Sequence, residues 1–111
     1  MPQVRFIGEF EQLILLAVLR CRDNAYGYTI QLELKKTLGR AASLGAIYTT
    51  LDRLEKKGYV SSCLASAGSS ARGGRPRRLY AVDGAGIRVI NAAQRRTELL
   101  MEGLEGILGI A

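Results

Sequence analysis

Apolar positions recur through the first half of the chain at intervals of three and four, the spacing of a helix with one buried face. Phe10, Leu13, Ile14, Ala17 and Cys21 line one side of a segment from about Glu9 to Arg22. Leu15, Leu16, Val18 and Leu19 add apolar character elsewhere, so this helix is expected to be buried on more than one side. Glu9 and Glu11 fall in its first turn, where carboxylates suit the positive end of the dipole. A second helix is expected from about Ala25 to Leu38, with Ile30, Leu34 and Leu38 as its stripe and Gly39 as its stop. Ser43 is a good N-cap for a third, Leu44 to Lys57, ended by Gly58. Two helices joined by Arg40-Ala41-Ala42 match a helix-turn-helix.

After Gly58 the pattern turns from helical to extended. Tyr59 to Leu64 reads as a strand and Arg77 to Val82 as its returning partner. Ala65 to Gly74 is rich in Ser, Gly and Ala and reads as a flexible loop. Pro76 stands just before the second strand, where a missing N–H does little harm. Together these make a β-hairpin with a long tip. Asp83 then caps a final helix from about Ala85 to Leu108, in which Ile90, Ala93, Thr97, Leu100, Leu104 and Ile107 form a heptad seam. Gly103, Gly106 and Gly109 lower helicity there, so the last turns should fray unless packed. With no internal repeat, the expected organisation is a winged helix-turn-helix domain over 1–82 and a dimerisation helix over 83–111, a mainly α (α+β) fold.

The third helix carries the candidate chemistry. Wound at about 100° per residue, it brings Leu44, Ile47, Leu51 and Leu54 together on a core face. Gly45, Ala46, Thr49, Arg53 and Lys56 lie opposite, flanked by Tyr48 and Asp52 on one side and Thr50 and Lys57 on the other. Small residues allow close approach to a groove, Thr and Arg can bond base edges, and Lys56 can meet phosphate. Free N–H groups at the helix start, beside Ser43, suit a phosphate as well. An amphipathic surface helix looks much the same, so this face alone decides little.

Charge separates the two readings. The chain has 16 basic and 10 acidic residues and a net charge of +6. Lys56, Lys57, Arg72, Arg75, Arg77 and Arg78 all fall between Lys56 and Val82, a stretch without an acid, and the remainder of the chain balances to zero. A neutral protein with one concentrated basic segment points to a polyanion. Arg72-Gly73-Gly74-Arg75-Pro76-Arg77-Arg78 adds reach to charge, since glycines let the backbone approach a phosphate and arginines favour a narrow minor groove. Double-stranded DNA is the expected partner, and a winged helix used only as a protein-interaction module is the alternative. Phe6 and Phe10 are candidates to pack on a partner's last helix. A two-fold dimer would set its recognition helices about 34–36 Å apart and select a near-palindromic operator.

Other functions find little support. The chain has no histidine, which removes the commonest general base and metal ligand. Cys21 and Cys63 have neither disulfide-framework nor zinc spacing, and both are expected to be buried structural thiols. Gly84-Ala85-Gly86 mimics the start of a dinucleotide-binding turn, but Val89 stands where the third glycine or alanine belongs and no βαβ unit follows. No catalytic residue, cofactor or metal site is therefore expected. The longest apolar run, Leu13 to Leu19, is too short for a membrane span and lacks the marks of a signal peptide, so a cytoplasmic location is expected. Few aromatics lie near the final helix, and no well-formed pocket for a drug-like effector is expected.

From about Leu13 to Gly86 the chain resembles the PadR-like transcriptional regulators. The resemblance rests on Leu13-Ile14-Leu15-Leu16-Ala17-Val18-Leu19, Ala25-Tyr26-Gly27-Tyr28, the run from Ser43 to Gly58, and Gly73-Gly74-Arg75-Pro76-Arg77-Arg78-Leu79-Tyr80. It implies a homodimeric winged-helix repressor with a C-terminal dimerisation helix. By motif position it implies that Tyr48 and Thr49 meet DNA and that Gly73, Gly74 and Arg75 belong to the wing. Thr49 stands where many members have Pro, and Asp83 stands where Thr is usual.

Overall fold

In the computed structural model, residues 6–65 and 77–110 are described. The elements run α1 (Glu9–Cys21), a 3₁₀ turn (Arg22–Asn24), α2 (Gly27–Leu38), α3 (Leu44–Lys56), β1 (Val60–Leu64), β2 (Arg78–Val82), α4 (Gly84–Met101) and α5 (Glu105–Leu108). The fold is mainly helical with one antiparallel pair, in which Val60 faces Val82 and Ser62 faces Tyr80. This is the winged-helix arrangement expected from the sequence.

Three helices close one core. Ile14, Leu15 and Val18 of α1, Ile30 and Leu34 of α2, and Ile47, Leu51 and Leu54 of α3 are all buried. Tyr59, Val60 and Tyr80 cap it from the sheet side, and Val89 and Ile90 bring α4 onto it. The turn before α3 is held by Gln31, whose side-chain amide donates to the Ala42 carbonyl at 2.8 Å. Ser43 then caps α3 as its sequence position suggested, accepting the Ala46 N–H at 3.0 Å. Gly58 ends α3 with a left-handed φ of 83°, a conformation costly for residues with a Cβ. Tyr59 N–H reaches back to the Leu54 carbonyl at 2.9 Å, which aims the chain into β1.

Several sequence expectations need correction. Leu44, expected in the core, is 42% exposed, and Thr50 is buried instead. Leu44 is the first residue of α3, and helical side chains lean towards the N-terminus, so it overhangs the packed layer. Leu38 is exposed at the end of α2 and borders a shallow apolar groove with Leu13 and Leu16. Leu16 and Leu19 are exposed as well, so the fully apolar band of α1 is only partly covered. The second helix starts at Gly27 rather than Ala25, because Thr29 Oγ1 accepts the Tyr26 N–H at 3.0 Å and fixes the first turn there. Asp83 occupies the N-cap position of α4 without a side-chain cap bond; its carboxylate accepts the Ser61 hydroxyl at 2.9 Å. Cys63 is exposed on β1, and Cys21 is half-buried with its thiol pushed up by burial, so the pair of buried thiols is not observed.

Glu11 is the acid whose role the sequence concealed. Placed in the first turn of α1, it is nevertheless buried. Its carboxylate accepts the Gly8 N–H at 3.0 Å and binds Lys57 Nζ at 2.9 Å. Burial pushes the carboxyl up, but the bonds from Lys57 and Gly8 and the nearby Arg53 charge outweigh it and hold it below its ordinary value. One ion pair therefore ties the start of α1 to the end of α3.

The last helix is not continuous. α4 stops at Met101, Gly103 takes a left-handed φ of 83°, and α5 restarts for a single turn at Glu105. A left-handed residue cannot continue a right-handed helix, so the expected run to Leu108 breaks at this glycine. Leu104 and Ile107 thus leave the straight line of the seam.

Candidate nucleic-acid interface

The interface is built on α3. Because Ile47, Thr50, Leu51 and Leu54 are buried, the residues between them must point outward. Ala46, Tyr48, Thr49, Arg53 and Lys56 are all exposed, along with the capping Ser43. The helix start retains donors beyond the Ala46 N–H that Ser43 occupies. Lys56 is paired with Asp52 at 3.1 Å, one turn earlier on the same helix. This exposed pair keeps the middle of the face near neutral and leaves Arg53 as its main positive group. Lys57 belongs to the Glu11 pair and points away from this face.

The root of the hairpin stands beside α3. Glu55 of α3 accepts the Ser62 hydroxyl at 2.7 Å, and Ser62 Oγ in turn accepts from Arg78 at 3.0 Å. Arg77 lays its guanidinium over the Tyr26 ring, 4.6 Å from its centroid. Tyr80 donates its N–H to the Ala25 carbonyl at 2.9 Å, fastening β2 to the segment before α2. Its phenol is held above the ordinary tyrosine value, by burial first and then by the Glu55 carboxylate. Arg72, Gly73, Gly74 and Arg75 lie outside the described residues. The structure therefore brings the α3 residues and Arg77 to one region and leaves the tip of the wing undescribed.

The candidate dimerisation residues divide along α4 and the segment that follows it. Ile90 is buried in the protomer's own core and Ala93 is half-buried, whereas Thr97, Leu100, Leu104 and Ile107 are exposed. Phe10 is half-buried against the same core with Arg40 over its ring at 5.0 Å. Phe6 is exposed, with the Arg96 guanidinium 4.1 Å from its ring centroid. Sequence reasoning did not single out three contacts at this region: the Tyr26 ring under Arg77, Gly27 against the Tyr48 ring, and Gln31 on the Ala42 carbonyl. Only the Tyr-Gly pair at a helix start hinted at them.

Gly86, in the Gly84-Ala85-Gly86 run that only mimics a nucleotide-binding turn, has a packing role. A Cβ there would lie 2.4 Å from the Tyr59 carbonyl oxygen and 2.6 Å from Val82 Cγ1. Its bareness lets α4 seat against the hairpin root. Among the described residues no cluster of His, Cys, Asp or Glu could hold a metal ion. No helix among them is long and apolar enough to cross a membrane. A groove of about 450 Å³ at the corner of α1 and α2 includes Cys21, Leu32 and Glu33 in its lining, and it has no aromatic wall.

Comparison with known proteins agrees with this geometry. Residues 15–92 match the model of the transcriptional regulator PadR-like family. No curated protein matches the chain in sequence. A PadR-like transcription factor from Bacteroides fragilis shares 26% identity and a TM-score of 0.72, with 88% of each chain covered. A PadR family transcriptional regulator from Eggerthella lenta shares 25% identity and a TM-score of 0.66, covering 90% of this chain and 86% of its own. A PadR-like transcriptional regulator from Bacillus cereus, at 22% identity, shows the same fold with a TM-score of 0.69 over 89% of this chain and 90% of its own.

Proposed function

The chain belongs to the PadR-like family of transcriptional regulators, and on that premise we propose that it is a homodimeric repressor that binds double-stranded DNA in a sequence-specific way. The family is one of regulators rather than enzymes. In this reading α3 enters the major groove with Tyr48, Thr49 and Arg53 towards base edges. Segment 65–78 reaches the flanking backbone or minor groove. Residues 83–111 join two protomers, so that a near-palindromic operator meets two recognition helices about 34–36 Å apart.

The observation that carries this reading is the outward face of α3. A helix held on its inner side by three other elements presents small residues at its capped start and Arg53 and Lys56 further along. Such a face fits a groove whose walls are phosphate and whose floor is base edges.

Fluorescence anisotropy on duplex DNA at several salt concentrations tests the proposal. Binding should weaken steeply with salt. Arg53→Ala should lower the preference for a selected duplex over a scrambled one by about 1–3 kcal/mol. Arg75→Ala should reduce the salt slope by about 1 without changing that preference. Salt-independent binding, or none, would favour a protein-interaction module instead.

A further inference from the structure

We propose that Tyr26 and Gly27, at the start of α2, are positioning residues for recognition. Gly27 seats Tyr48 of α3, and Tyr26 holds Arg77 at the root of the wing. The inference rests on the DNA-binding reading above and adds to it a determinant of specificity away from the groove.

Three consecutive residues touch three different parts of the interface. The Ala25 carbonyl accepts the Tyr80 N–H of β2 at 2.9 Å. The Tyr26 ring lies 4.6 Å below the Arg77 guanidinium. A Cβ on Gly27 would fall 2.4 Å from Tyr48 Oη, 2.5 Å from Cζ and 2.8 Å from Cε2. These separations are shorter than carbon and oxygen atoms tolerate, so the Tyr48 ring occupies the space that a side chain at position 27 would take.

Gly27 is not needed for backbone reasons. It lies in the first turn of α2 and is not among the glycines with positive φ. Alanine has the higher helix propensity, so the backbone alone gives no reason for glycine there. The missing Cβ serves the contact with Tyr48. Tyr48 is still 43% exposed, so one side of the ring is seated while the other remains available. A ring seated in advance loses less freedom when it binds. The platform is itself anchored, because Thr29 accepts the Tyr26 N–H at 3.0 Å and donates to the Asn24 carbonyl at 2.7 Å. Wing root and recognition helix are thereby gauged from one short segment.

The test uses the full chain, a duplex enriched by the wild-type protein from a randomised pool, and a scrambled duplex. Gly27→Ala displaces the Tyr48 ring and should lower the preference for the enriched duplex about tenfold, leaving the salt slope unchanged. In a Tyr48→Ala background the same change should add less than about twofold, because the two residues act through one contact. Tyr26→Leu should weaken both duplexes by a similar factor, and Tyr26→Phe, which keeps the ring, should restore them. An unchanged preference in Gly27→Ala overturns the inference, as does an equal loss with and without Tyr48. If Gly27→Ala fails to fold, Gly27→Ala/Tyr48→Ala must fold, since the clash is gone; its failure would also overturn the inference. A wild-type protein that enriches no duplex would instead sink the DNA-binding reading, and this inference with it.

Discussion

The first three helices and the last one use the same apolar residues at the same spacing, yet they end in opposite environments. Ile14, Leu15, Ile30, Ile47, Leu51 and Leu54 are fully buried, while Leu100 and Ile107 are 80% and 83% exposed. Leu99, Leu104, Leu108 and Ile110 are exposed as well. Periodicity identifies which face of a helix seeks cover; it does not say what provides it. In α1, α2 and α3 the cover is mutual, because short turns fold the faces onto one another. α4 touches that core through Gly86, Val89 and Ile90 and then runs past it. An exposed apolar patch of this kind at one end of a protein marks an interaction surface, and a second copy is the occupant that the proposed dimer supplies.

The largest effect should come from attacking the uncovered region. Burying each leucine of the pair Leu100 and Leu104 in a dimer contributes about 1.5–3 kcal/mol. Leu100→Asp combined with Leu104→Asp should therefore give a monomer by sedimentation at micromolar concentration, with at least about a hundredfold weaker operator binding. Far-UV circular dichroism should show the remaining helices intact. A variant that still sediments as a dimer would remove the distinction between the two regions as drawn here.

Attacking the covered region should damage folding instead. Leu51→Ala removes a fully buried side chain from α3 and should cost about 2–5 kcal/mol of stability in urea denaturation. If this variant were to dissociate before it unfolds, the core and the dimer surface would be less separate than the exposures suggest.

The smallest effect concerns the tie between α1 and α3. Glu11 has a carboxyl held below its ordinary value, so its contribution is present above the unfolded-state value of 4.5 and is lost as pH falls through the lower folded value. Glu11→Gln should lower stability at neutral pH by about 1–2 kcal/mol, since Lys57 is partly open to solvent. It should also flatten the acid limb of a stability profile below about pH 4.5. Glu33, half-buried on α2 and lowered to about 2 by the Thr37 hydroxyl and Arg20, offers a control with no tie between α1 and α3. A Glu11→Gln profile parallel to the wild type would mean that the ion pair adds nothing to folding.

Much of the fold was legible because local signals agreed with one another. Ser43 before an apolar run, Gly58 after it and two short segments of β-branched and aromatic residues beyond specified α3 and the strand pair, and the structure moved their ends by only a residue or so. The outward face of α3 followed from the same periodicity, since Ile47, Leu51 and Leu54 could point only one way. The basic segment, the small residues ahead of Arg53 and the family resemblance were likewise readable in one dimension.

Contacts between residues far apart in the chain were not. Glu11 looked like a surface acid because nothing near it in sequence announces Lys57, 46 positions later. Gly27, inside the helix expected from Ala25, gives no sign of its contact because the ring that needs its space belongs to another helix. Leu44 and Thr50 exchanged expected places because burial depends on where the neighbouring helices stop, and Gly103 broke a seam that spacing alone carried onward. The sequence by itself determined the elements, their order and the faces they offer, because these arise from short-range sterics and apolar spacing. Tertiary structure decided which faces meet, which charges pair and which glycine makes room, because those depend on distances in space that the order of residues does not encode one by one.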